Sequence, residues 1–163
     1  MMEELFIKKL SFTKRPIPIP ADYRPMYKIA LIVLILKLCS RGNKSSLLKL
    51  HLFSWALTSK KHASLLTSFI NNNFQGEFSV WGIEPALNRA LQLATAEKIC
   101  ELTDGKNYVL TSDKGINFFN MLMADNELLD YEKAFLNSIG KNTITDSRIN
   151  AMTKQWSLFY VEN

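Results

Sequence analysis

The residues of this 163-residue chain best suited to nucleophilic or metal chemistry are Cys39, Cys100, His51 and His62. Neither cysteine has a CxxC partner, and both sit in apolar segments without an evident base, so they read as buried structural thiols. The two histidines stand eleven residues apart on what read as separate helices. Metal ligation needs a third or fourth ligand at defined spacing, and neither histidine finds one locally. No GxxxxGKS/T, HExxH or GxSxG motif occurs. A nuclease would need acids gathered on a divalent ion, for which Glu77, Glu84 and Glu101 are the candidates in a chain whose N-terminal part is poor in acids. The expectation is a chain with no catalytic residue, no cofactor and no metal.

Charge offers more. The net charge is +5, but residues 1–61 hold twelve Lys and Arg against three acids, whereas residues 62–163 hold eight against twelve. A basic front part suits a nucleic-acid surface or an acidic partner, while the acidic remainder is ill matched to a phosphate backbone. Many of the cations are scattered, and a generic solvated face is the competing explanation. With 47% hydrophobic residues, six Gly and five Pro, the composition is that of a folded domain and excludes a low-complexity linker. The apolar run Ile29–Leu36 is flanked by Lys28 and Lys37 and is too short to cross roughly 30 Å of hydrocarbon. Met1-Met2-Glu3-Glu4 does not resemble a signal peptide, so a soluble, cytoplasmic protein without a membrane partner is expected.

The elements that must position these residues follow from periodicity and punctuation. Residues 1–21 form an N-terminal arm, with Glu4–Leu10 suited to an edge strand. Its proline–isoleucine alternation from Arg15 to Pro20 cannot be helical; Ile17 and Ile19 suit either its own domain or another chain. Asp22 is placed to cap a helix with Pro25 in its first turn that runs to Cys39. A second helix is expected over Ser45–Leu57, and a third, capped by Ser59, carries Leu65, Leu66, Phe69 and Ile70. Phe78–Gly82 alternates like a short strand, and Pro85 then opens a helix to Glu97. Ile99–Leu102 and Tyr108–Leu110 flank an Asp104-Gly105 turn, the strongest hairpin signal in the chain. Thr111 or Ser112 can cap the next helix. Helices over Glu127–Ser138 and Asp146–Lys154 and a short apolar strand or clasp at Trp156–Val161 complete the chain.

Three helices, a strand, a helix and a hairpin leading into Leu110-Thr111-Ser112-Asp113-Lys114-Gly115 resemble a winged helix-turn-helix domain. The expected fold is thus mostly α with a small β-hairpin wing, a winged-helix-like domain over 22–124 and a C-terminal helical extension over 125–163. More specifically, Tyr23-Arg24-Pro25-Met26-Tyr27-Lys28 and Phe78-x-Val80-Trp81-Gly82-Ile83-Glu84-Pro85-x-Leu87-Asn88-Arg89-Ala90 are similar to the middle component of ABC-three-component systems. That family includes the small subunit of Lamassu/Ddm-type bacterial defence complexes. The resemblance covers roughly residues 20–125. It implies a non-catalytic accessory subunit, partnered by an SMC- or Rad50-like coiled-coil ATPase and an effector nuclease acting against phage or plasmid DNA.

Within such a fold the helix before the wing offers Asn88, Arg89 and Gln92 to a major groove, a supply with one cation only. The purely structural alternative pairs Arg89 with Glu84 or with a neighbouring chain and has Asn88 cap or bridge locally. Arg41 and Lys44 in one turn, Lys60 and Lys61 at a helix start and Lys106 at the wing tip are the candidates for backbone contacts with double-stranded DNA. Lysines at a helix start oppose its dipole, which hints at an external anion. Trp81, Trp156, Phe159 and Tyr160 join Ile17 and Ile19 as candidate partner-interface residues. The rival function is a stand-alone winged-helix transcriptional regulator, which would need a strongly basic reading helix.

Overall fold

Residues 24–78 and 84–161 are described by the computed structural model, with side chains as far as Lys154. The arm over 1–21 with Ile17 and Ile19, the expected Asp22 cap and most of the expected strand at 78–82, Trp81 included, lie outside them. Helix α1, Pro25–Leu38, is the centre of the molecule: every residue from Tyr27 to Leu36 is buried, so it needs cover on all sides. Its N-cap is Arg24, in extended conformation and without a side-chain cap, while Pro25 fills the first turn, where no intrahelical N–H is required. Lys28 does not close the apolar stretch from outside, as its place in the sequence suggests. It is fully buried.

After α1 the chain turns through Gly42 and Asn43, both with positive φ (62° and 55°), into β1, Lys44–Ser46. This strand is a correction to the expected helix start at Ser45. Three polar residues carry too little pattern to announce a strand, and β3 supplies the pairing that creates one. Ser46 then caps α2, Leu47–Ala56, by accepting the Lys49 backbone N–H at 3.3 Å. Ser59 caps α3, Lys60–Asn71, through the His62 N–H at 3.1 Å.

Helix α4, Pro85–Ala96, leads to the hairpin β2, Cys100–Thr103, and β3, Asn107–Leu110. Asp104 and Gly105 both take positive φ (55° and 65°), as the Asp-Gly signal requires. All three strands are antiparallel in the order β1-β3-β2, with Ser45 opposite Tyr108 and Leu102 opposite Tyr108 on the other edge. Asp113, rather than Thr111 or Ser112, caps α5, Lys114–Ala124. Thr111 instead ties the strand ends to that helix. Its Oγ1 accepts the Gly115 N–H (2.7 Å) and directs its own proton at the Lys98 and Ile99 carbonyls. Gly115 is required there because a Cβ would come within 2.4 Å of the Ile99 carbonyl oxygen.

Helix α6, Asp130–Ile139, begins later than the expected Glu127, because Leu129 stands in the left-handed region at φ 54°. Its buried Lys133 donates to the Leu122 and Asp125 carbonyls and so satisfies the end of α5. Helix α7, Asp146–Val161, overturns the expected terminal strand: Trp156, Phe159 and Tyr160 lie on a continuous helix. No Gly or Pro follows Thr145 to stop it, and an apolar tail at a helix end is read as a strand only in isolation. Leu136, Ile139, Ile144, Ile149 and Met152 join the same core as α1. The result is a mostly helical fold with a small three-stranded sheet and additional C-terminal helices.

Candidate functional site

Beneath the start of α4 lies a polar knot in an otherwise apolar interior. Lys28 Nζ on α1 donates to Ser54 Oγ on α2 (2.8 Å) and to Glu84 Oε2 (3.1 Å), with Oε1 at 3.0 Å. Ser54 Oγ donates to the same Glu84 Oε2 at 3.0 Å. The Glu84 backbone N–H then donates to His51 Nδ1 (3.1 Å), which leaves the proton of the neutral ring on Nε2, directed at Asn88 Oδ1 (3.1 Å). Burial pushes the His51 pKa down; the Asn88 hydrogen bond and the Glu84 charge oppose this, and Lys28 adds to it. Three helices are thus held around the N-cap of α4.

Two stretches singled out in the sequence supply this knot, Lys28 from residues 23–28 and Glu84 with Asn88 from residues 78–90. Only the three-dimensional arrangement shows why those polar residues belong in apolar surroundings. The knot also sets which polar residues α4 leaves at the surface. Glu84 is held by Lys28, so the expected Arg89–Glu84 pair is replaced, and Asn88 faces His51. Arg89 and Gln92 remain at the surface. A single cation is left on this face of α4.

The other expected cations do not form one cluster. Arg41 Nε donates to Asn142 Oδ1 at 2.8 Å, and Lys44 pairs with Asp104 at 3.3 Å across an exposed surface. Lys60 and Lys61 are exposed at the start of α3, beyond the far end of α2. The ten residues of α2 put about 15 Å between its ends, so adjacency of these two turns is not realised. Lys106 is exposed in the hairpin turn. Lys60 also borders an open groove of about 500 Å³ between α3 and α6, with Ser64 and Ser68 on one wall and Tyr131 on the other.

The remaining chemical candidates have structural partners. Cys39 donates to the Leu136 carbonyl (3.2 Å), and burial raises its thiol pKa to about 12. Cys100 is raised as well, chiefly by burial. Each therefore stays a neutral thiol at physiological pH. Thr58 Oγ1 donates to the Trp55 carbonyl and so accepts from His62 Nδ1, while the His62 ring stacks on Trp55 at 4.3 Å and 12°. Among the described residues no group of three or more His, Cys, Asp or Glu is placed to hold a metal, and no helix is long and apolar enough to cross a membrane. Glu77, Glu84 and Glu101 are not gathered into one such group.

A second buried lysine escapes the sequence reading. Lys49, in the first turn of α2, is only 4% exposed and has no hydrogen bond or ion pair from its amine to any described residue. Burial lowers its pKa; Cys39 and Asp146 oppose that, and Arg41 reinforces it. Its signal in the sequence is faint, a lysine among Leu47, Leu48, Leu50 and Leu52.

No protein-family model matches the chain, and comparisons with curated proteins and with solved structures give no significant match.

Proposed function

We propose that this chain is a non-catalytic accessory subunit of an SMC- or Rad50-like ATPase complex. In that role it bridges the ATPase and an effector nuclease in defence against phage or plasmid DNA. The strand order β1-β3-β2, with β1 placed between α1 and α2, agrees with a winged-helix reading of the fold. The observation that carries the function is the state of α4: Asn88 is committed to His51, and Arg89 is the one cation left on the face that would read bases. A helix so poor in donors and charge is suited to joining proteins, not to selecting a base sequence. Contact with double-stranded DNA falls to separated exposed cations, Lys60, Lys61 and Lys106, which suits weak backbone binding.

Co-expression with a coiled-coil ATPase and a nuclease encoded beside it tests the reading. The expected result is a stable complex containing this chain, together with salt-sensitive, sequence-indifferent retardation of duplex DNA by the isolated protein. Recovery of this chain alone, with tight retardation of one operator sequence, would establish the rival transcriptional regulator.

A further inference from the structure

We propose that the groove between α3 and α6 is the docking site of the chain's own N-terminal arm, with Ile17-Pro18-Ile19 as its occupant. The arm joins the fold beside this groove. Lys28 Nζ donates to Ser54 Oγ at 2.8 Å, so the end of α2 lies at the beginning of α1. Ser59 caps α3 only three residues after α2 ends at Ala56, which brings Lys60 to the same place. Tyr27 Oη donates to Glu132 Oε1 at 3.2 Å and draws the first turn of α6 there as well. The chain preceding Arg24, the N-cap of α1, therefore starts near the groove walls that carry Lys60 and Tyr131. Ile19 is five residues upstream of Arg24, a reach of about 16 Å in extended chain.

Length and chemistry match as well. From Lys60 to Ser68 the α3 wall runs about 12 Å, the span of four residues of extended chain. Pro16, Pro18 and Pro20 each fix their own φ and bias the preceding residue to an extended backbone, so this segment has little freedom left to lose on docking. Tyr131, 43% exposed, and Phe135 stand one turn apart on α6 and supply an aromatic wall, the surface on which proline-rich segments settle. Opposite them Lys60, Ser64, Thr67 and Ser68 offer an ammonium and hydroxyls, all able to donate, and among the described residues no carboxylate lines the groove. Arg15 to Pro20 bring six carbonyls but only three N–H groups, an excess of acceptors. The short tether favours this chain's own arm over a partner's segment, because it holds the isoleucines near the groove at high effective concentration. Docking covers Ile17 and Ile19, which a free arm would leave in water, whether or not the chain joins an ATPase.

Paired cysteines in the full-length chain test this. Ile19→Cys is combined with Ser64→Cys in the groove or with Arg89→Cys as a control. Arg89 is exposed on α4, whose start is tied to the same end of α1 through Glu84. Cys39 and Cys100 are buried, neutral thiols and stay out of the exchange. Disulfides formed at low protein concentration in a glutathione buffer are read by peptide mass spectrometry. The expected result is an intrachain disulfide between positions 19 and 64, favoured at least about tenfold over the control pair. Adding Tyr131→Ala, a change at the surface, should remove most of that preference. Equal closure of the two pairs would overturn the proposal. A disulfide between positions 19 and 64 of different chains would give the groove to a second copy and overturn it too. A preference that survives Tyr131→Ala unchanged would mean nearness without docking, and would also overturn it.

Discussion

Lys28 and Lys49 are both lysines enclosed by leucine-rich helices, and the molecule treats them in opposite ways. Lys28 meets a carboxylate and a hydroxyl and ties α1, α2 and α4 together. Lys49 meets no acceptor among the described residues, and burial lowers its pKa. The difference is one of commitment: an ammonium with an internal partner fixes geometry, whereas one without a partner carries a desolvation cost and ties no elements together.

The most severe challenge to that contrast is Lys28→Met. It strands Glu84, whose side chain is 23% exposed, beside Ser54. A loss of about 3 kcal/mol in urea-unfolding stability is expected, because a partly buried charge keeps its desolvation cost after losing its partner. A loss below about 1 kcal/mol would show that the knot does not hold α4. Replacing Glu84 by Gln in the same chain should restore part of the loss, since it removes the orphaned charge.

Acid acts next on the same knot. Because the folded His51 pKa is depressed, the unfolded chain takes up a proton that the folded one resists. Its contribution to stability is complete above about pH 6.5 and is lost as pH falls below that value toward the folded pKa. The slope does not exceed about 1.4 kcal/mol per pH unit. Denaturation midpoints measured between pH 7.5 and pH 5 should show this slope in the wild type and a shallower one in His51→Gln.

Lys49→Met should behave unlike Lys28→Met. Its stability should equal that of the wild type or exceed it by up to about 1 kcal/mol, because a desolvated charge is replaced by an apolar chain of similar length. A loss of more than about 2 kcal/mol would mean that the amine is needed by the fold itself. The smallest effect belongs to the exposed cations. Lys106→Gln should move stability by no more than about 0.5 kcal/mol, and on the proposed function it should flatten the salt dependence of duplex binding by about one phosphate contact.

Much of this architecture is legible in the chain without coordinates. Pro25 and Pro85 mark two helix starts, Ser59 a cap, Asp104-Gly105 the hairpin turn and Gly140 the end of α6, because each depends on local backbone chemistry. Elements that depend on distant partners are not. The strand β1 exists because Ser45 pairs with Tyr108, sixty-three residues away, and α7 keeps its helical course through a tail that looks strand-like alone. The polar sites divide the same way. Charge counting groups Lys44, Lys60, Lys61 and Lys106 with every other cation of the chain, and it cannot tell a solvated lysine from Lys28 or Lys49.

An apolar, helical interior around α1, thiols isolated from one another, and a helix before the hairpin with few cations all follow from the order of the amino acids. Those are properties of composition, spacing and nearest neighbours. Folding in three dimensions was needed to send Glu84 to Lys28 and Asn88 to His51, and to bury Lys49 at the start of α2. Partner choice for a buried charge depends on which helices cross above it, and that is set by the packing of the whole core.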